Sequence, residues 1–193
     1  MEKFVFKKNG WDKSKLTHVY SSVAKTFVPF TDEDDCIVSG YNPEIDYYDY
    51  ISVSDRKEHT EGVVVRTKCS FDAFGAPLIV FANDVFEDEH GYRYGLNYEF
   101  VVWEGGCNVW RVETTPPGSE RTFISTPIVQ VKFPLAEKTV IDLEAKMSGR
   151  KLVEIKVNDY SFAVRLEDIA DTFYVGIAGC EGVNRFYELE IEN

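Results

Sequence analysis

A chain of 193 residues that is 44% hydrophobic and 15% aromatic can build one packed core, and its length fits a single domain spanning 1–193. The net charge of −12, with no basic cluster, rules against nucleic acid and against anionic membrane surfaces, since both need a Lys/Arg footprint. No run approaches the roughly 18 apolar residues of a membrane span, and the start MEKFVFKKNGW lacks the apolar stretch of a signal peptide. The sequence as it stands is therefore expected in the cytoplasm, and secreted only if a leader has been removed.

The first 60 residues are the least regular. KFVFK reads as an edge strand, and Cys36–Ser39 and Tyr50–Val53 as two short ones. Between them lie the acidic TDEDD and the tyrosine-rich YNPEIDYYDY, so this part is either extra edge strands or a wrapping arm. From Gly62 onward, strand follows strand: GVVVRTKCSF, APLIVFA, YGLNYEFVVWE, CNVWRVE, PIVQVKF, KTVIDLEAKM, KLVEIKVN, YSFAVRLE, FYVGIAG and NRFYELEIE. Most alternate apolar and polar residues, the period of a half-buried strand. Breaks fall at Gly105-Gly106, Pro116-Pro117-Gly118, Ser148-Gly149 and Asn158-Asp159, all turn formers. Asn158-Asp159 between two alternating runs predicts a tight hairpin. Leu166–Thr172 is the one segment that reads as a short helical turn. The expectation is an all-β fold, two antiparallel sheets packed as a sandwich. Cys36, Cys69, Cys107 and Cys180 are far apart and without a C-x-x-C pair, so reduced thiols are expected, with Cys69 and Cys180 buried.

The closing strands carry a resemblance. In KVNDYSFAVRLED and FYVGIAGCEGVNRFYELEIE, the residues Val157, Asn158, Phe162, Tyr174, Gly176, Ile177, Phe186, Leu189 and Ile191 resemble the last three strands of laminin G-like jelly rolls. YGLNYEFVVWEGGCNVWRVE resembles the central strand pair of carbohydrate-binding modules attached to fructan-cleaving enzymes. Together these resemble the concanavalin A-like lectin and glucanase superfamily, which implies a jelly-roll sandwich and a sugar-related function. Fold likeness alone leaves lectins, glucanases and adhesion modules open.

Alternation sorts the side chains of the central pair. Asn97, Glu99, Val101 and Trp103 share one face, whereas Leu96, Tyr98, Phe100 and Val102 form an apolar face suited to a core. On the next strand either Trp110 or Arg111 shares the groove with Trp103, but not both. A sugar-binding face needs flat rings for C–H contact, and carboxylate and amide groups for hydroxyls. Trp103 and Tyr94 are read as stacking platforms, with Trp110 beside them. Asn97, Glu99 and Asn108 are read as polar contacts, joined by Arg66 and Asp84, the latter following Asn83 at the end of APLIVFA. The bland alternative makes the two tryptophans core packing, Glu99 a solvated charge and Arg66 a cross-strand ion pair.

Other constellations are weaker. Glucanases of this fold carry E-x-D-x-x-E on a central strand, and Glu44, Asp46 and Asp49 approximate it. Here the third acid is Asp, Asn42-Pro43 precedes the run, and the run comes before GVVVRTKCSF rather than after it. An acidic surface turn is the better reading. Thr31–Asp35 offers oxygen ligands for calcium, but a solvated acidic loop accounts for it better, and no cofactor is called. His18, His59 and His90 stand apart, without zinc spacing. The sequence therefore favours a non-catalytic carbohydrate-binding domain for a neutral sugar. A hydrolase or lyase of the same fold is the first alternative. An intracellular structural or interaction protein, such as a homodimer joined edge to edge, is the second.

Overall fold

The computed structural model describes residues 1–20, 28–89, 91–115 and 123–193, so His90 and the expected Pro116–Gly118 turn lie outside the described residues. Among these residues, nineteen strands follow in chain order. The N-terminal part contributes β1 (Glu2–Val5), β2 (Leu16–Tyr20), β3 (Thr31–Asp32), β4 (Ile37–Val38), β5 (Tyr41–Asn42), β6 (Tyr47–Tyr48) and β7 (Ile51–Asp55). Next come β8 (Val64–Asp72), β9 (Ala76–Ala82), β10 (Val85–Asp88), β11 (Gly91–Tyr94), β12 (Asn97–Trp103) and β13 (Gly106–Thr114). The chain closes with β14 (Phe123–Lys132), β15 (Ile141–Gly149), β16 (Leu152–Val157), β17 (Tyr160–Arg165), β18 (Tyr174–Cys180) and β19 (Val183–Glu192).

The first sheet has the order β17-β16-β15-β8-β19-β4-β3, with β1 added along β19. The second runs β10-β11-β2-β7-β18-β9-β12-β13-β14. Among the described residues, the irregular first 60 therefore supply strands to both sheets, and β5 and β6 pair as a separate hairpin. β2 and β7 lie inside the second sheet, and β1, β3 and β4 extend the first. Alternation set the faces. Phe81, Phe100 and Ile177 of the second sheet meet Val65, Leu143 and Leu189 of the first in one dry core. Phe81 stacks on Phe173 at 5.1 Å and meets Phe100 edge-on at 5.1 Å. The Asn158-Asp159 hairpin forms between Val157 and Tyr160, with Asn158 in the left-handed region at φ 51°.

Leu166–Thr172 departs from expectation: it is a non-helical turn, and the one short 3-10 helix among the described residues is Lys13–Lys15. The cause is competition for backbone donors. The Asp168 N–H donates to the Tyr98 hydroxyl at 3.0 Å, and the Ala170 N–H to Asn83 Oδ1 at 2.8 Å. Leu166 and Ile169 meanwhile anchor the loop in the core. All four cysteines are free. Burial pushes the Cys36 and Cys107 thiols up to about 12, which keeps them unreactive. Among the described residues no helix is long and apolar enough to cross a membrane.

At one end of β7 a buried pair ties down the last residue. His59 Nε2 lies 2.9 Å from Asp55 Oδ2, and Nδ1 lies 2.8 Å from Asn193 Oδ1. Both ring nitrogens face acceptors, which suits an imidazolium donating twice. Burial alone would lower the His59 pKa, but the bonds to Asp55 and Asn193 outweigh it and raise it. Burial would likewise raise Asp55, yet His59 and the Lys57 N–H hold it below its ordinary value. His59 thus adds stability that is complete below its unfolded value of about 6.5 and is lost as pH rises through the raised folded value. Asp55 adds stability that is complete above its unfolded value of about 3.9 and is lost as pH falls through its depressed folded value. Thermal melting across pH 4 to 9 is expected to show wild type losing more stability than His59→Gln on the alkaline side. Parallel curves would refute the imidazolium assignment.

Candidate functional site

The outer face of the second sheet is apolar where the middle strands meet. Leu78 and Ala76 of β9, Val101 of β12 and Ala178 of β18 form a second small hydrophobic cluster, with Trp110, Tyr50 and Cys180 packed against it. A cleft of about 620 Å³ opens above this floor, within the range of small-molecule sites. The strand register builds its contents. Glu99 pairs with Trp110, and Val101 with Asn108, so the side chains at 99, 101, 108 and 110 share the outer face. Gln130 on β14 stands beside Asn108. Arg111 points the other way and pairs with Asp168 at 2.8 Å and Glu113 at 3.0 Å.

Trp103 is held in place at the rim. Its Nε1 donates to Asn108 Oδ1 at 3.2 Å, and its ring folds over the β12–β13 turn. A Cβ at Gly105 would sit 2.2 Å from the Trp103 Cη2 atom, so glycine is what lets the indole lie there. Glu99 is partly buried on the floor opposite Trp110. Burial raises its pKa to about 7, and Tyr50 is the one neighbour that pulls it back down. Tyr50 is itself raised well above its ordinary range, by burial first and the Glu99 charge second. The other acids on the lining are Glu104, Glu137 and Glu181, and no Lys, Arg or His is among the described lining residues.

Superposition on solved structures identifies the architecture. A carbohydrate-binding module, CBM66 from Bacillus subtilis, matches with a TM-score of 0.59 at 13% identity, over 93% of this chain and 96% of that one. An immunostimulatory antigen and pseudo β-1,3-glucanase of Mycobacterium tuberculosis matches at 0.53 and 13% identity, over 99% and 97%. Alginate lyase A1-II′, of polysaccharide lyase family 7, matches at 0.50 and 9% identity, over 86% and 84%. The fold is a concanavalin A-like jelly roll. No protein-family model and no curated protein matches the sequence.

On this jelly roll the eight sequence-selected residues separate into two groups. Glu99, Trp103, Asn108 and Trp110 come together in the cleft. The other four do not. Tyr94 shares the outer face but is only 2% exposed, its hydroxyl 2.8 Å from Ser52 Oγ, so it is floor and not a stacking platform. Asn97 is buried past the end of the cleft and donates to the Gly95 carbonyl at 3.1 Å. Asp84 is exposed in the β9–β10 connection, packed against Gly95. Arg66 belongs to the other sheet, where Glu144 at 2.5 Å and Glu192 at 2.8 Å pair with it. Chain order suggested that Arg66 neighbours Asn83 and Asp84, but β8 and β9 lie in different sheets.

Two acidic runs also resolve. Glu44–Tyr48 forms the turn and second strand of the small β5–β6 hairpin, with Asp46 at φ 53° and Asp49 just after it, so these acids are not displayed along a strand of either main sheet. In Thr31–Asp35, Asp32 accepts from Trp11 Nε1 at 3.3 Å and from Lys13. Among the described residues no cluster of three or more His, Cys, Asp or Glu could hold a metal. Sequence reasoning missed Tyr50. Its signal was the alternation of Tyr50, Ser52 and Ser54 against Ile51 and Val53, hidden by the tyrosine run in front of it.

Proposed function

We propose that this jelly roll is a non-catalytic carbohydrate-binding domain that receives a neutral sugar in the cleft of the second sheet. One observation carries the reading: a carboxyl sunk in an apolar floor, Glu99, faces the indole of Trp110 across the strand pair, and Trp103 and Asn108 line the same cleft. Indole faces take the C–H surface of a sugar ring, while Glu99, Asn108 and Gln130 take hydroxyls. Hydrolysis of a glycosidic bond ordinarily uses two carboxyl groups about 5–9.5 Å apart. The names of the matched structures, a carbohydrate-binding module, a pseudo-glucanase and a lyase, support a polysaccharide-related role without separating binding from cleavage.

A glycosidase or lyase is the second reading, favoured by one feature. Burial raises the Glu99 pKa to about 7, near the value that suits a general acid at neutral pH. A glycan array followed by reducing-end and unsaturated-product assays on each captured sugar tests both. Capture of a neutral oligosaccharide with no product is expected. Product that disappears in Glu99→Gln would replace the binding reading with catalysis, and an array blank for every sugar would remove both.

A further inference from the structure

The β8–β9 connection presents a phenylalanine where a chain ordinarily places glycine. Asp72–Gly75 is a tight turn, closed by the Gly75 N–H donating to the Asp72 carbonyl at 3.0 Å. Its two central residues, Ala73 at φ 49° and Phe74 at φ 64°, both lie in the left-handed region. That is the pattern of a type I′ turn, whose second central position favours glycine because a side chain there is strained. Phe74 is nevertheless 74% exposed, so its ring gains little from the core in return. The backbone beneath it is braced. The Ala73 N–H donates to Asp72 Oδ1 at 2.8 Å, and the Phe74 N–H to Glu137 Oε1 at 3.4 Å. Gly182 packs directly against the turn, where an added Cβ would sit 2.1 Å from the Ala73 carbonyl oxygen.

Phe74 borders the cleft. β9 begins at Ala76, just beyond the turn, and continuing the Leu78–Val101 register brings Ala76 level with Trp103. Phe74 and Trp103 therefore stand at one end of the cleft, and Phe123, which pairs with Thr114, at the other. The strand between Asn108 and Thr114 runs about 20 Å, longer than any single hexose ring. We propose that Phe74 is a ligand-contacting residue that supplies a binding position beyond Trp103, so that the cleft takes an oligosaccharide chain and not one sugar ring. The inference rests on the carbohydrate reading of the same cleft. An exposed ring on a braced turn has what a stacking platform needs: an open apolar face, and a backbone already fixed before binding. Backbone strain persists where the surrounding structure over-determines it, and it collects at ligand clamps.

The test titrates laminaribiose, mannobiose and cellobiose, and the tetrasaccharide of each series, calorimetrically into wild type, Phe74→Gly and Phe74→Tyr. At least one tetrasaccharide should bind wild type about fivefold more tightly than its disaccharide. Phe74→Gly should weaken that tetrasaccharide about fivefold and leave the disaccharide unchanged. Phe74→Tyr, which keeps the ring, should bind as wild type does. Because glycine relieves the turn, Phe74→Gly should also raise the melting temperature by about 2–4 °C. A substitution that stabilises the fold while weakening the longer ligand separates a binding role from a structural one. Phe74→Gly binding the tetrasaccharide as tightly as wild type, or wild type binding both lengths equally, overturns the Phe74 position while the carbohydrate reading stands. A lower melting temperature in Phe74→Gly would assign the ring to folding and overturn the position as well. No binding by any of the six probes overturns both.

Discussion

Phe81→Ala is expected to lower folding stability by about 3–5 kcal/mol, the cost of truncating a fully enclosed aromatic ring. Phe81 has no exposed surface and stands at the centre of an aromatic trio. One face stacks on Phe173 and its edge meets Phe100, so the cavity left behind is lined by two rings fixed on two separate segments. β9 and β12 are neighbours in the second sheet, while Phe173 leads into β18 on the other side of β9. The ring therefore ties three adjacent segments to the core, and the walls have little freedom to collapse. Set against a total of about 5–15 kcal/mol for a domain, such a loss leaves the variant near its unfolding threshold at 37 °C. Chemical denaturation checks it. A loss below about 1.5 kcal/mol would mean that the packing described for this core is wrong.

Trp103→Ala is expected to weaken sugar binding by about 2 kcal/mol or more, close to thirtyfold in Kd, with little change in stability. The two effects separate because Trp103 is only partly buried and sits at the rim, on the Gly105 turn. Its bond to Asn108 fixes the plane in which the indole is offered. Trp103→Phe keeps a ring but loses the donor that orients it, and should fall between the two. Trp110 serves less well as the test, since it also covers the apolar floor and its removal would disturb folding. Wild-type affinity in Trp103→Ala would displace the ligand from this cleft.

Much of this was legible in the sequence, because a period of two fixes faces. On β12 the alternation alone sent Tyr98, Phe100 and Val102 to the core, and Glu99 and Trp103 to the outer face, as observed. What alternation cannot give is depth. Tyr94 and Asn97 are on the predicted face but buried, because the strands beside them and the loops above decide what covers a sheet. Nor can it say which sheet a strand joins. Arg66 and Asp84 lie close in sequence, yet the β8–β9 connection passes from one sheet to the other and separates them. Leu166–Thr172 failed as a helix because its backbone donors found Tyr98 and Asn83, partners some 70 to 87 residues away. Glu99 could be named from its pattern, but its raised pKa comes from burial, which depends on what the fold packs around it.

The chain has three tryptophans, and their placement supplies the most direct test. Trp103 and Trp110 line the cleft, whereas Trp11 packs edge-on against Phe6 at 5.1 Å with its Nε1 facing Asp32. Indole ¹H–¹⁵N spectra recorded during titration with a captured neutral oligosaccharide should show the Trp103 and Trp110 resonances shifting together to saturation. Trp11 should stay in place, and no cleavage product should accumulate. Cleft indoles that remain unmoved while Trp11 shifts, or product formed at saturation, would contradict a binding cleft on the second sheet.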